Sequence, residues 1–288
     1  MERYKKTKIA GIFGIIGNLF LLIIKLAVGF ISNSQAMIAD AINSASDIFA
    51  SFMTAIGNKI ASIPKDNDHN FGHGKAEYIF SMLISLSMMG ISIKMFYDSL
   101  MSIINNNKLE FSWWLIIVCI VTIITKLFLW LYTKNTYIKY PSLLLKSNMI
   151  DHRNDCFITL FTTFSIILSK YGINFVDGIT GMGISMWIFI SGIKIFLESY
   201  NVLMDISIDE ETKKLILDII NEYTEIENIN EIYSVPTGYK YILVLTIEVD
   251  GNMSTYKSNQ IADELENEII SLISKVDRVM IHVHPVKR

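Results

Sequence analysis

A bundle of six membrane-spanning helices followed by a small αββαβ, ferredoxin-like α+β domain is the fold class that the sequence predicts. Three observations carry this. About half of the 288 residues (51%) are hydrophobic and only 18% are charged, too apolar for a soluble domain of this length. The charge is divided: residues 1–204 hold 17 Lys and Arg against 12 Asp and Glu, whereas residues 205–288 hold 8 against 16. Two regions in different solvents follow, 1–204 and 205–288. Finally, the first region breaks into six apolar runs, each about as long as the 20 residues a spanning helix needs.

The first run is Ile9 to Ile31, with Asn18 and Lys25 inside it. It is too long for the core of a secretory signal and reads as a spanning helix. After the turn Ser32-Asn33-Ser34, a second span runs from Ala36 to Ile60, rich in the Ala and Ser that let helices approach closely. A polar loop from Ser62 to Lys75 precedes the third span, Ala76 to Ile104, which is rich in Met. The fourth span, Phe111 to Tyr132, opens with Trp113-Trp114, as at a membrane interface. A short polar loop, Thr133 to Tyr140, leads to Pro141, which suits the first turn of a helix. Ser142 to Leu168 is the fifth span. Phe175 to Leu197 is the sixth, with Gly178, Gly181, Gly183 and Gly192 available for close packing.

Six spans put both termini on one side. Arg3, Lys5, Lys6, Lys8, Lys59, Lys65, Lys75, Lys134 and Lys139 flank that side, against Lys108 and Lys170 on the other. The excess of positive charge places both termini in the cytoplasm of a multi-pass protein of the cell membrane. The tail then reads as helix (210–223), strand (231–235), strand (241–249), helix (254–273) and strand (279–283), an order that suits a small sheet with helices on one face. It shows no basic patch for nucleic acid. Cys119 and Cys156 both lie in apolar runs, so neither a disulfide framework nor a thiolate metal cluster is expected.

Two polar pairs interrupt the apolar runs: Asn43 with Asp47, and Asp151 with Asp155. Residues four apart share one helix face, so the two faces brought together aim three carboxylates and an amide at one point. Carboxylates inside a bilayer are costly and mark functional sites, and oxygen donors suit a hard divalent cation. Asn43 is equally readable as interhelical glue. Asp40, one turn earlier, lines an entry path, shuttles protons or caps a polar cluster. Arg153 pairs with an acid or reaches a watery cavity. Met82, Met88 and Met89 read as packing. No nucleotide loop, nucleophile elbow or zinc-protease motif appears, so neither catalysis nor ATP use is expected.

In this order and spacing the motifs resemble the cation diffusion facilitator family over almost the whole chain. They are Ile38-Ala39-Asp40 with Asn43 and Asp47; Asp66, His69 and His73 with Gly74-Lys75-Ala76-Glu77; Asp151 with Asp155; and Ile281-His282-Val283-His284-Pro285. The resemblance implies a homodimeric exporter of divalent metal working by proton antiport, with no resident cofactor and with 205–288 as a regulatory and dimerisation domain. It implies a transport site at Asn43, Asp47, Asp151 and Asp155, a second loop site at Asp66, His69 and His73, and a charge pair between Lys75 and Asp205 that ties the third helices to the tail across the dimer. A site without histidine resembles the manganese branch, and oxygen ligands favour manganese independently. His152, rotated about 100° from Asp151 on the helix, is expected to point elsewhere. Asn230, Thr246 and Asn259 stand where tail ligands would be, leaving His282 and His284 as a weak tail site whose two rings are expected on opposite strand faces. The alternatives are export of iron(II), zinc or cobalt by the same fold, and a membrane metal sensor that transports nothing.

Overall fold

A computed structural model describes residues 2–31, 35–105, 113–169 and 175–286. Six long helices come first: α1 (Glu2–Ile31), α2 (Gln35–Ala61), α3 (Ala76–Ile104), α4 (Trp113–Lys139), α5 (Leu143–Ser169) and α6 (Phe175–Leu203). The tail follows as α7 (Glu210–Ile220), β1 (Ile226–Pro236), β2 (Tyr241–Val249), α8 (Thr255–Leu272) and β3 (Val276–Pro285). Two compact units result, 1–63 with 76–200 and 64–75 with 201–288. The loop before α3 thus clusters with the tail, a grouping that a cut at 204/205 does not anticipate. The turn at 32–34 and the loops that carry Lys108 and Lys170 lie outside the described residues.

The helical unit buries many polar residues beside its apolar core and exposes large apolar side chains. Thr7, Asn18, Lys25, Ser44, Asp47, Ser51, Asn58, Ser85, Ser92, Thr122 and Lys126 are buried, while Ile16, Phe20, Ile23, Ile93, Trp113, Ile124 and Phe128 are exposed. That pattern suits a hydrocarbon solvent, where helices gain by packing small and polar residues together and apolar side chains face lipid. α1, α3, α4 and α6 contain stretches long and apolar enough to cross a membrane. α2 and α5 are as long, 27 residues each, but carry the polar pairs. α6 lies close against α3: a methyl at Gly178 or Gly181 would meet Ser99, and one at Gly192 would meet Met89. Gly183 faces open space. Met88 is buried in the core with Ile84, Ile184 and Ile188.

Several helix ends differ from expectation: α1 already begins at Glu2 and α7 stops at Ile220. α4 runs on through 133–139, because Thr133 and Thr136 continue its buried face and Thr136 Oγ1 bonds back to Tyr132 O at 2.8 Å. Polar composition there marks departure from the apolar layer, not the end of the helix. α6 likewise continues to Leu203. Pro141 stands before α5 rather than in its first turn. The start is held instead by Glu77 of α3, whose buried carboxylate accepts from Leu143 N at 2.6 Å and from Arg3 Nη2 at 2.5 Å, while Arg3 Nε donates to Pro141 O at 2.8 Å.

The tail has the expected αββαβ order, with the second strand at its expected bounds and the first and third longer than expected. β1 and β2 are antiparallel, and β2 and β3 parallel, in the order β1-β2-β3. α7 and α8 contribute Ile216, Ile219, Ile220, Leu265 and Ile269 to a core with Leu243 and Leu245 of the central strand. Asp209 caps α7 by accepting from Thr212 N at 2.9 Å, and Ser254 caps α8. In the β1–β2 turn Gly238 has φ +126° against Gly74, a backbone and a close approach that exclude a side chain.

Candidate metal centre

α2 and α5 carry the polar pairs, and α4 brings a residue between them. Asp47 and Asp155 are buried, and Lys126 is 1% exposed. Lys126 Nζ donates to Asp47 Oδ2 at 2.7 Å and to Asp155 Oδ2 at 2.5 Å. One ammonium therefore joins carboxylates of two helices, placing these acids about a common point. Asp151, one turn before Asp155, has a carboxylate oxygen close to one of Asp155 and to a ring nitrogen of His152, all within 4.8 Å. Asp151 Oδ2 is buried without a hydrogen-bond partner, as are both ring nitrogens of His152. Near the same layer, Lys25 Nζ donates to Ser44 Oγ at 3.0 Å. Asp40 and Asn43 lie on α2, but their side chains are outside the described residues.

His152 departs from expectation. A 100° turn of the helix separates its Cα–Cβ direction from that of Asp151, yet the imidazole is long enough to bring a nitrogen back to the cluster. Arg153 stacks over the Trp187 ring at 5.1 Å and donates to Asn154 Oδ1 at 3.3 Å, so it is held by a cation–π contact rather than by an acid. Sequence reasoning missed Lys126. The signal was present, since a lysine six residues before the expected end of an apolar span is as costly as the aspartates that were singled out.

The loop triad is assembled too. Asp66 Oδ1 lies 3.2 Å from His69 Nδ1, Asp66 Oδ2 lies 3.7 Å from His73 Nε2, and the two rings are 4.2 Å apart. The three ligand atoms fall within 4.8 Å of one another, a nitrogen-rich set that suits a borderline cation. The His69 amide, donating to Asp66 at 2.7 Å, holds that carboxyl below its usual range. Beside it Lys75 Nζ bonds Asp205 Oδ1 at 2.7 Å within one chain. Asp205, at φ 57°, ends α6 in the left-handed conformation of a helix C-terminus.

In the tail, His282 and His284 are exposed on the same face of β3, because residues two apart on a strand point the same way. The expectation of opposite faces is corrected. They pair in register with Thr246 and Glu248. Asn230 donates to Glu248 Oε1 at 2.8 Å.

The family model of the cation efflux transmembrane domain matches residues 11–204, and that of the cation efflux protein cytoplasmic domain matches 208–286. The manganese efflux system protein MneP of Bacillus subtilis is 25% identical over 99% of this chain and 98% of its own length. MneS of the same organism is 26% identical over the whole of both chains. The cation-efflux pump FieF of Shewanella oneidensis is 26% identical over 98% of this chain and 95% of its own length.

Proposed function

The chain belongs to the cation diffusion facilitator family of divalent cation efflux transporters, and from that premise we propose that it exports manganese(II) across the cytoplasmic membrane as a homodimer, in exchange for protons. The carrying observation is that Lys126 joins Asp47 of α2 to Asp155 of α5 while a carboxylate oxygen of Asp151 lies beside one of Asp155. Three carboxylates form a hard oxygen site suited to manganese, and Asn43 supplies a fourth oxygen from its carbonyl. All six long helices span the bilayer, with both termini in the cytoplasm. Metal loads from that side, and rocking of the bundle about the site opens it outward. Ligands must be deprotonated to hold metal, so protons arriving from outside compete for the same oxygens and help to expel the ion. Residues 205–288 provide the dimer contact. The full-length similarity to two manganese efflux proteins supports the choice of ion.

A second reading, zinc or iron(II) export, is favoured by one observation: the His152 nitrogen beside Asp151 and Asp155, since imidazole suits those ions. Uptake into proteoliposomes under a proton gradient tests both, with manganese against zinc and with Asp47→Ala as the blank. Manganese flux that vanishes in the variant is expected. Zinc flux equal to that of manganese discards the selectivity. No flux of any metal moves the weight to a sensor.

A further inference from the structure

Lys126 is the one residue of the centre that the transport reading leaves without a task. We infer that Lys126 is a tethered competitor of the transported metal: its ammonium takes the same carboxylate oxygens as the ion, the two exclude one another, and this competition sets how loosely the metal is held. The inference rests on the transport-site reading above.

The geometry supports exclusion. Nζ lies 2.7 Å from Asp47 Oδ2 and 2.5 Å from Asp155 Oδ2, the two acids that bring α2 and α5 together. A divalent ion sits about 2.0–2.6 Å from its carboxylate oxygens. On these oxygens it falls within contact distance of Nζ, carrying charge of the same sign into a buried site where little solvent screens the repulsion. The ammonium must move before the metal is fully seated. The side chain is built for that, as a compact charge on a flexible four-carbon stem. A resting place exists one turn away. Thr122 is four residues earlier on the same face of α4, and its hydroxyl is buried without a hydrogen-bond partner.

A purely structural role fits less well. Neutralising the bundle accounts for the pairing of Lys126 with two acids, but not for its place at the point where a third, Asp151, keeps a buried oxygen unpaired. A competitor does gain. Three buried carboxylates alone hold a divalent ion tightly and release it slowly. A tethered ammonium acts at an effective concentration on the order of millimolar, set by its stem rather than by the medium. It weakens retention in every orientation of the bundle and reoccupies the acids once the ion leaves.

The test compares wild type with Lys126→Met, which keeps length and volume but lacks charge, and with Lys126→Arg, which keeps charge. Manganese binding is measured on purified dimer by calorimetry, and turnover in proteoliposomes. Lys126→Met is expected to bind about tenfold more tightly or better, roughly one decade per 1.4 kcal/mol, and to turn over several-fold more slowly, with Lys126→Arg near wild type in affinity. Equal or weaker binding in Lys126→Met overturns the inference while leaving the transport reading in place. No binding of manganese, iron(II), cobalt or zinc by either protein overturns both. If Lys126→Met does not fold, a manganese-loaded structure of the wild type decides. Nζ displaced from Asp47 and Asp155 supports competition, and Nζ still bonded to both ends it.

Discussion

Asp47, Asp151 and Asp155 sit inside a helix bundle, two of them sharing a buried ammonium, whereas Asp66, His69 and His73 sit on a loop with Asp66 and His69 exposed. In the loop the three ligand atoms lie within 4.8 Å of one another; in the bundle Asp151 lies that close to Asp155, and Asp47 reaches Asp155 through Lys126. Their solvents differ, and with them the worth of each charge. A unit pair 4 Å apart is worth about 1 kcal/mol in water and about 4 kcal/mol at the effective dielectric of a partly buried site. The loop can take up a cation at little electrostatic cost and lose it as readily. The bundle leaves an uncompensated carboxylate at high cost, and Lys126 is a cation that the chain itself supplies to two of its acids.

The sharpest way to break this comparison is to remove one acid from each group. Asp155→Ala is expected to lower manganese transport by about 1000-fold, the equivalent of one partly buried charge pair. Asp66→Ala is expected to lower it by less than tenfold. Proteoliposome flux measures both. Comparable losses would mean that the loop is an obligatory step and that burial is not what distinguishes the two.

The same contrast separates two ion pairs near the ends of the helices. Glu77 is buried between Arg3 and the first amide of α5, while Lys75 and Asp205 pair with their side chains 38% and 53% exposed. Removing one partner of a buried pair costs about 3–5 kcal/mol, and an exposed pair about 0–1 kcal/mol. Thermal unfolding in detergent is expected to show Glu77→Ala strongly destabilised and Asp205→Ala nearly unchanged. Equal shifts would show that the Arg3–Glu77 pair is solvated in the folded protein.

How much of this was legible in the sequence follows from what the signals were. The positions of the six long helices came from apolar runs, because length and hydropathy report on the solvent around a segment. Their ends did not, since Thr133 and Thr136 stay helical by packing, which composition does not encode. Asp47, Asp151 and Asp155 stood out as charges in apolar runs. Lys126 carries the same signal, and helix angle alone points His152 away from the cluster. Its side-chain reach, and the meeting of Lys126 with Asp47 and Asp155 from three helices, are tertiary facts that no spacing within one helix contains.

A finer contrast concerns ligand chemistry. The loop offers two imidazoles and one carboxylate, and imidazole suits zinc while carboxylate suits manganese. On an Asp47→Ala/Asp155→Ala background, calorimetry is expected to show zinc bound at the loop at least about tenfold more tightly than manganese, a difference of about 1.4 kcal/mol. His73→Ala is expected to remove most of that preference. Equal affinities would mean that Asp66 alone does the binding.

The smallest expected effect lies in the tail, where an exposed carboxylate works through geometry rather than burial. Asp209 accepts from Thr212 N and Thr212 Oγ1 and pairs with Lys275 Nζ at 3.0 Å. The Thr212 amide first, then its hydroxyl and Lys275, lower the Asp209 carboxyl to about 2. A carboxyl lowered on folding stabilises the fold above its ordinary value of 3.8, and that contribution is lost as the pH falls from there through about 2. Asp209→Ala is expected to cost about 1 kcal/mol at neutral pH, the usual worth of a helix N-cap, read as faster amide exchange in α7. At pH 2 the variant and the wild type should converge, because the acid is by then half protonated or more. Asp209→Asn separates the cap from the charge. Asn caps as well as Asp but does not titrate, so its α7 protection should stay level between pH 4 and pH 2 while that of the wild type falls. A parallel fall in both would assign the acid sensitivity of the tail to some carboxylate other than Asp209.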